Sequence, residues 1–247
     1  MPRRPSPRSL AVSVVMPVHN AERFLRDAID SILHQTIQGL ELICVDDGST
    51  DRSPTILERA RCLDPRVTVI TQQNQGVAPA LNAGLARAKA PFIARMDADD
   101  IASPHRLARQ LLELRSRPAV VALGTWYRRI DERGHPIESA RPPIRHAGIV
   151  RGLLAGDPGV LRHPTVVMRR HAVSVLSGYD PSAGSAEDVD LFLRLARLGE
   201  LANLADPLLD YRVHAASVTQ SRSDTQRADL NRVVVRATAA QRPAMAS

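Results

Sequence analysis

The stretch Pro91-Phe-Ile-Ala-Arg-Met-Asp-Ala-Asp-Asp100 joins an apolar run to a sudden cluster of carboxylates. The apolar part has the composition of a buried strand, and the acidic part ends it. Earlier in the chain, the run from Leu40 to Val45 is followed in the same way by Asp46-Asp47-Gly48-Ser49-Thr50-Asp51. In open α/β sheets, ligands bind beyond the carboxyl ends of the strands. The two acidic clusters are therefore candidates for one shared site.

Strand and helix patterns alternate through the first half of the chain. Strands are predicted at 12–16, 40–45, 67–70, 91–96 and 120–123. Helices are predicted between them: after an Asn20 cap, from Ser53-Pro54 to about Arg61, through 80–85, and from Ser103-Pro104 to about Arg115. This alternation predicts βαβ units, and hence an α/β protein with a mainly parallel twisted sheet flanked by helices.

The second half of the chain is less regular. Patterns there predict a strand and turn over 126–135, a helix over 144–154, a strand over 165–168, an amphipathic helix over 187–198 closed by Gly199, strands near 201–205 and 207–213, and a surface helix over 228–240. We expect a basic flexible leader over 1–9, a single domain over 10–219 and a C-terminal helix and tail over 220–247.

Length and composition exclude several classes of protein. Of the 247 residues, 44% are hydrophobic and 24% charged, as in ordinary globular proteins. No apolar run approaches the roughly 20 residues that span a bilayer, and the start lacks the apolar region of a signal peptide. A cytoplasmic protein without a transmembrane segment is therefore expected. The net charge of +7 would suit peripheral contact with the inner face of a membrane. Only 3% of residues are aromatic, so nucleic acid is not an expected partner.

Carboxylates and a histidine are the candidates for chemistry. Asp97 and Asp99 point to the same side of an extended segment, and such oxygens suit Mg²⁺ or Mn²⁺ bound to a phosphate. On spacing alone, an acidic turn that caps the next helix, with Asp100 near its N-terminus, explains the cluster equally well. The pair Glu187-Asp188 at a helix start could supply a base or only stabilise the helix dipole.

The segment Tyr211-Arg-Val-His214 is a further candidate. A neutral His214 imidazole could ligate a metal, and Arg212 could neutralise a diphosphate. A lone histidine is more often structural than a ligand, so the structural interpretation stays open. Among the other histidines, only His163 is a candidate, and a weaker one.

A set of segments in this order characterises the chain: Val14–Asn20, Val45–Asp51, Asn74–Gly76 with Ala80–Asn82, Ala94–Asp100 and Glu187–Leu191. Taken together, they resemble glycosyltransferase family 2. The resemblance covers about residues 10–219 and implies the GT-A fold. It implies an inverting, non-processive enzyme that moves one hexose-type sugar from a nucleotide-diphospho-sugar, by family frequency a UDP-sugar. The implied acceptor is a carbohydrate or lipid-linked hydroxyl in surface polysaccharide or glycolipid assembly.

The resemblance also implies roles for individual residues. Asp188 would be the catalytic base. Asp99, joined by His214, would bind Mn²⁺ or Mg²⁺, with Asp97 nearer the ribose. Glu187 and Arg212 would lie near the diphosphate or the acceptor. The nucleotide would contact Pro17, Val18, Asn20, Glu22, Asp46, Asp47, Gln75, Asp97 and Ala98.

The chain departs from the family pattern at two points. The only tryptophan is Trp126, so the Gln-x-x-Arg-Trp motif of processive synthases is absent, and Leu81 stands where many relatives carry a basic residue.

Two other functions are alternatives. A sugar nucleotidyltransferase would share the topology and the metal carboxylates, but it should carry a Gly-rich basic loop where this chain has Pro17-Val-His-Asn20. A nucleotide-sugar-binding protein that has lost catalysis should lack the base or the metal pair, and both are present.

Overall fold

The computed structural model describes residues 10–214 and 224–239. Within them the chain forms one nine-stranded sheet. The strands of the first half are β1 (Val12–Val18), β2 (Leu40–Asp47), β3 (Val67–Gln72), β4 (Phe92–Arg95) and β5 (Ile101–Ala102). Those of the second half are β6 (Val120–Ile130), β7 (Pro136–Ala140), β8 (Val167–Arg169) and β9 (Glu200–Arg212).

Helices cover both faces of the sheet. They are α1 (Leu25–Leu33), α2 (Ser53–Leu63), α3 (Val77–Arg87), α4 (Arg106–Ser116), α5 (His146–Leu154), α6 (Arg170–Val175), α7 (Glu187–Leu195) and α8 (Asp224–Ala239). None of these helices is long and apolar enough to cross a bilayer.

The strand order is β3-β2-β1-β4-β8-β6-β9-β5, with β7 paired to β6. Strands β1 to β4 run parallel, as do β6 and β9, whereas β8, β7 and β5 pair antiparallel with their neighbours. The predicted α/β class with a mainly parallel sheet is confirmed. Because β1, β2 and β4 are parallel neighbours, the segments that follow them meet at one edge of the sheet.

Two apolar cores lie on opposite faces of the sheet. Along β1, Val14 and Met16 face the core that holds α1, α2 and α4, while Val15 faces the core that holds α3, α5, α6 and α7. This alternation follows from the two-residue period of a strand. Helix α8 belongs to the second core, because Val233 is buried there. The expected leader over 1–9 and the expected domain boundary at 219 lie outside the described residues.

Three predicted helix starts differ from the structure. Asn20 does not cap α1, which begins at Leu25; Asn20 has a φ of 50° and bonds to the loop after β2. Ser103-Pro104 precedes the start of α4 at Arg106, because residues 101–102 pair with β9 first. Ser53 is the first residue of α2 rather than its cap. In each case a contact with a distant segment overrides the local signal.

The second half also differs from the predicted elements. The two strands predicted near 201–205 and 207–213 are one strand, β9, which pairs in parallel with β6. Pro207 sits at a register irregularity opposite Trp126, where a missing backbone donor is tolerated. Helix α7 ends at Leu195 and a turn follows, so the predicted helix was too long. Helix α6 and strand β7 in the second half, and strand β5 in the first half, were not predicted.

Candidate active site

A pocket of about 520 Å³ lies at the carboxyl ends of β1, β2 and β4. We call it the donor pocket, after the nucleotide-sugar that the family resemblance implies there. The structure brings six of the nine predicted nucleotide-binding residues to its wall: Pro17, Val18, Asn20, Asp47, Asp97 and Ala98. His19, Phe24 and Asn74 also line it, and the sequence analysis did not single them out.

Asp47 shapes the donor pocket by holding the loop between β3 and α3. Its carboxylate accepts hydrogen bonds from the backbone N–H of Gln75 at 2.9 Å and of Gly76 at 2.8 Å, and from the side chain of Gln72 at 2.8 Å. The neighbouring Gly48 has a φ of +72°, and a Cβ there would lie 2.8 Å from the backbone nitrogen of Asn74. Glycine at this position therefore lets the two loops approach each other.

Asn20 joins the loops that follow β1 and β2. Its side-chain oxygen accepts from the backbone N–H of Thr50 at 2.8 Å, and its own N–H donates to Ser49 at 3.0 Å. An Asn tolerates the positive φ that this turn requires. The loop that follows Val18 at the end of β1 is thus fixed against the loop after β2.

Three predicted nucleotide contacts do not line the donor pocket. The carboxylate of Glu22 accepts the N–H of Arg52 at the start of α2. Asp46 is buried and accepts the N–H of Ser49 at 3.1 Å. Gln75 contributes its backbone N–H to Asp47. In the structure, these residues organise the loops around the pocket.

Three carboxylates meet on the floor of the site. Asp97, Asp99 and Asp100 each offer an oxygen, and these oxygens lie within 4.8 Å of one another. Asp97 and Asp99 face the pocket, whereas Asp100 is fully buried. Helix α4 begins only at Arg106, so the interpretation of this cluster as a cap of that helix is wrong.

Burial and mutual repulsion raise the proton affinity of two of these carboxylates. Burial and the charge of Asp97 raise the pKa of Asp99, and burial and both neighbouring charges raise the pKa of Asp100 well above its usual range. One buried oxygen of Asp100, Oδ2, has no hydrogen-bond partner. A set of close, hard oxygen ligands is what Mg²⁺ and Mn²⁺ prefer, so these residues fit a divalent cation.

His214 completes the cluster from the far end of the chain. Its Nε2 lies 2.9 Å from Oδ2 of Asp99. Its ring packs against Phe24, with 5.1 Å between the ring centroids. An imidazole beside a carboxylate adds a nitrogen ligand of the kind that Mn²⁺ accepts.

Arg212, predicted to lie near the diphosphate or the acceptor, binds backbone oxygens around the acidic cluster in the structure. Its guanidinium donates to the backbone oxygens of Asp99 at 2.8 Å, Asp131 at 3.1 Å and Glu132 at 3.0 Å. Its backbone N–H donates to Asp100. The side chain is 3% exposed and lines neither the donor pocket nor the pocket beside it. Arg212 therefore fixes the segment that carries the acidic cluster.

A second pocket, of about 330 Å³, adjoins the first and shares Asp97 and Asp99 with it. We call it the acceptor pocket, after the acceptor that the family resemblance implies beside Asp188. Glu187 and Asp188, at the start of α7, line its other side. Burial and the charge of Asp188 raise the pKa of Glu187 to about 8, and burial raises the pKa of Asp188. A carboxylate with raised proton affinity beside a cleft is suited to act as a general base.

Two further buried side chains line the acceptor pocket: Arg95, which the sequence analysis did not single out, and His163, which it gave as a weak candidate. Arg95 lines both pockets, is 5% exposed and forms an ion pair with Asp97. An arginine within an apolar strand was a usable signal for it. His163 lies 2.8 Å from the hydroxyl of Tyr179, and burial, with two nearby arginines, holds its pKa well below the usual range. His163 is therefore neutral and structural at neutral pH.

Curated relatives share most of this chain. It is 32% identical over 217 residues to an uncharacterized glycosyltransferase of Haemophilus influenzae, covering 82% of this chain and 65% of that protein. It is also 32% identical over 216 residues to the O-antigen biosynthesis glycosyltransferase WbnJ of Escherichia coli, covering 85% of this chain and 82% of that protein. The chain thus spans just under two thirds of the Haemophilus protein.

Solved structures share the fold. TarS 1-349 of S. aureus in complex with UDP-GlcNAc matches with a TM-score of 0.74 and 17% identity, over 91% of this chain and 66% of that one. The mannosyltransferase PcManGT of Pyrobaculum calidifontis, in complex with GDP-Man and Mn²⁺, matches with a TM-score of 0.66 and 22% identity, over 96% of this chain and 65% of that one. The expected GT-A fold is confirmed. A family model described as Glycosyl transferase family 2 matches residues 13–174, and the chain belongs to that family.

Proposed function

We propose that the chain is an inverting, non-processive glycosyltransferase that moves one sugar from a nucleotide-diphospho-sugar to an acceptor hydroxyl. One observation carries the proposal: Asp97 and Asp99 lie on the shared wall of two pockets, and Asp188 lines the second. A donor held in the first pocket would present its sugar toward the carboxylate of Asp188. The arrangement supplies one candidate base and needs no second nucleophilic carboxylate.

Asp99 and His214 would hold a divalent cation, Mn²⁺ or Mg²⁺, with Asp97 beside it. When bound, such an ion stabilises the negative charge that grows on a leaving diphosphate. The short contact between Asp99 and His214 supports this assignment, because both side chains already point at one place. The complex of PcManGT with Mn²⁺ is consistent with it.

A UDP-sugar is the donor we favour. TarS, which shares the fold, binds UDP-GlcNAc and UDP, whereas PcManGT binds GDP-Man. In this chain, the nucleoside would occupy the side of the donor pocket near Asp47 and Asn20, and Asp97 would face the ribose. The loops after β1, β2 and β3 are bonded to one another there, so the pocket is formed before the nucleotide binds.

Asp188 would act as the general base. It takes the proton from the acceptor hydroxyl while that oxygen forms a bond to the anomeric carbon. The bond from that carbon to the diphosphate oxygen breaks, and its electron pair leaves with the diphosphate. Because attack comes from the side opposite the leaving group, the anomeric configuration inverts. The raised pKa of Asp188 makes its carboxylate a stronger base than an exposed aspartate.

The biological setting is a further part of the proposal. Relatives include proteins named for O-antigen biosynthesis and for chondroitin synthesis. We therefore propose a carbohydrate or lipid-linked acceptor and a cytoplasmic enzyme that contacts the membrane peripherally through its net charge of +7. Failure of the protein to sediment with anionic liposomes at low salt would contradict the membrane contact.

The experiment that tests the reaction is a product analysis. The protein is incubated with Mn²⁺, a panel of α-linked UDP- and GDP-sugars, and sugar acceptors, and the new linkage is assigned by NMR. A β-linked product is expected. An α-linked product would contradict inversion. Formation of a nucleotide-sugar from a nucleoside triphosphate would favour the nucleotidyltransferase alternative.

A further inference from the structure

The acceptor pocket is lined by positive charge that the proposed reaction does not use. Three arginines line it: Arg95, Arg162 and Arg227. The charge of Arg95 is compensated by its ion pair with Asp97. Among the described residues, neither Arg162 nor Arg227 has a carboxylate within ion-pair distance. Asp188, on the same pocket, attracts Arg162 from beyond ion-pair distance. Neither arginine therefore has a carboxylate of the described residues in direct contact.

Arg162 is the less exposed of these two arginines, and its surroundings show what it could bind. Its guanidinium carbon lies 5.0 Å from the ring centroid of Tyr211 and 5.5 Å from that of Tyr127. Its Nη2 lies 3.4 Å from the Tyr127 hydroxyl, and its Nε is buried without a hydrogen-bond partner. Burying a charged group without a paired charge is costly, although contact with aromatic faces offsets part of that cost. A ligand that places a negative charge in direct contact with the guanidinium would account for this arrangement.

The position of Arg162 assigns that ligand to the acceptor. Arg162 lines the pocket that holds Asp188 and is not among the residues of the donor pocket. Arg227, in the first turns of α8, is exposed on the same pocket and adds a second positive charge at its outer side. The diphosphate of a donor would instead face Asp99 and His214. The two arginines without an ion pair among the described residues thus lie on the acceptor side.

We propose that the acceptor is an anionic sugar, one that carries a carboxylate or a phosphate close to the hydroxyl that is glycosylated, and that Arg162 binds this anion. The inference rests on the proposed function, since it names the chemical class of its acceptor. Arg162 is suited to the role because the planar guanidinium matches carboxylate and phosphate oxygens with paired hydrogen bonds. Arg227 contributes long-range attraction at the rim.

The test compares charged and neutral compounds of the same shape. Isothermal titration measures binding of p-nitrophenyl β-D-glucuronide against p-nitrophenyl β-D-glucoside, and of glucose 1-phosphate against methyl glucoside. Titrations are run with the donor pocket saturated by UDP and Mn²⁺ and again without nucleotide. The wild type should bind at least one charged compound about tenfold more tightly than its neutral partner. The pair that shows the preference distinguishes a carboxylate from a phosphate.

Arg162→Gln should reduce this preference to near unity and leave UDP binding unchanged. Arg115→Gln, at an exposed arginine on α4, removes the same charge and should keep the preference. Equal binding of charged and neutral partners by the wild type would overturn the proposal, as would an equal loss for both partners in Arg162→Gln, which is the result expected if Arg162 acts only through Asp188. Failure of UDP to bind would contradict the proposed function, while the titration without nucleotide would still report the preference.

Discussion

His214 and Asp99 are 115 positions apart in the chain, yet the imidazole Nε2 lies 2.9 Å from the carboxylate Oδ2. The two-residue strand β5 brings them together. Ile101 pairs with Asp210 and Ala102 with Leu209, in antiparallel register. The residues just before β5 and those at and just after the end of β9 must therefore lie side by side, and these are the acidic cluster and the segment 212–214.

The first prediction concerns the metal affinity of this pair. His214→Gln should weaken Mn²⁺ binding by about tenfold or more, because the variant loses the nitrogen ligand. Titration of Mn²⁺ in the presence of UDP measures the change. His135→Gln, at an exposed histidine paired with Asp131, is the matched control and should bind Mn²⁺ as the wild type does. Unchanged affinity in His214→Gln would remove His214 from the proposed metal site.

The second prediction separates a structural Arg212 from one that binds a diphosphate. Arg212→Gln leaves three backbone oxygens without their buried donor, so it should lower the free energy of unfolding by about 2–4 kcal/mol in the absence of any ligand. Urea unfolding measures it. Arg109→Gln breaks an exposed ion pair with Asp206 and should cost about 0–1 kcal/mol. Wild-type stability with weakened UDP binding would instead favour the diphosphate contact.

The third prediction isolates the base. Asp188→Asn should lower turnover by about 100-fold or more, because the amide cannot accept the proton of the acceptor. Binding of UDP and Mn²⁺ should be retained, since Asp188 lines the acceptor pocket and not the donor pocket. Asp206→Asn, on a partly exposed aspartate that lines neither pocket, serves as the control. Wild-type turnover in Asp188→Asn would mean that another group takes the proton.

The fourth prediction links stability to pH through Glu187. The folded chain keeps a proton on Glu187 up to about pH 8, whereas the unfolded chain releases it near 4.5. The folded state therefore binds more protons between these values, and stability falls as pH rises through this window. Glu187→Gln should reduce the loss of stability between pH 5 and pH 8 by about 1–3 kcal/mol.

Urea unfolding of both proteins at the two pH values measures this difference. Glu200→Gln, at an exposed glutamate, should leave the wild-type pH dependence intact. The same pH dependence in Glu187→Gln and in the wild type would show that Glu187 is already ionised in the folded protein.

Much of the fold could be predicted from local patterns. The strands near 12–16, 40–45 and 67–70 are apolar runs bounded by turns, and each is present in the sheet. What failed depends on contacts between distant segments. Asn20 looks like a helix cap but bonds to Thr50, and β5 has only two residues that become a strand by pairing with β9. Neither feature leaves a periodic signal in the sequence.

In the candidate site, too, residues with a local sequence signal could be predicted, and those whose role depends on distant contacts could not. The positions of Asp97, Asp99 and Asp188 could be predicted because they stand at strand and helix ends in recognisable segments. Burial decides the roles that could not be predicted. Arg212 looks like a free cation until its three backbone acceptors are seen, and Arg162 looks like any surface arginine until the two tyrosine rings around it are seen.

The most direct test of the central claim is the thermal stabilisation of the protein by UDP, with and without Mn²⁺, in the wild type and in Asp99→Asn. A ligand that binds only the folded state raises stability by mass action, by about 2.7 kcal/mol at one hundred times its Kd. We expect UDP to stabilise the wild type only with Mn²⁺, and Asp99→Asn to abolish that shift. Stabilisation by GDP in place of UDP would change only the nucleotide assigned to the donor. No shift with any nucleoside diphosphate, or an unchanged shift in Asp99→Asn, would contradict the account.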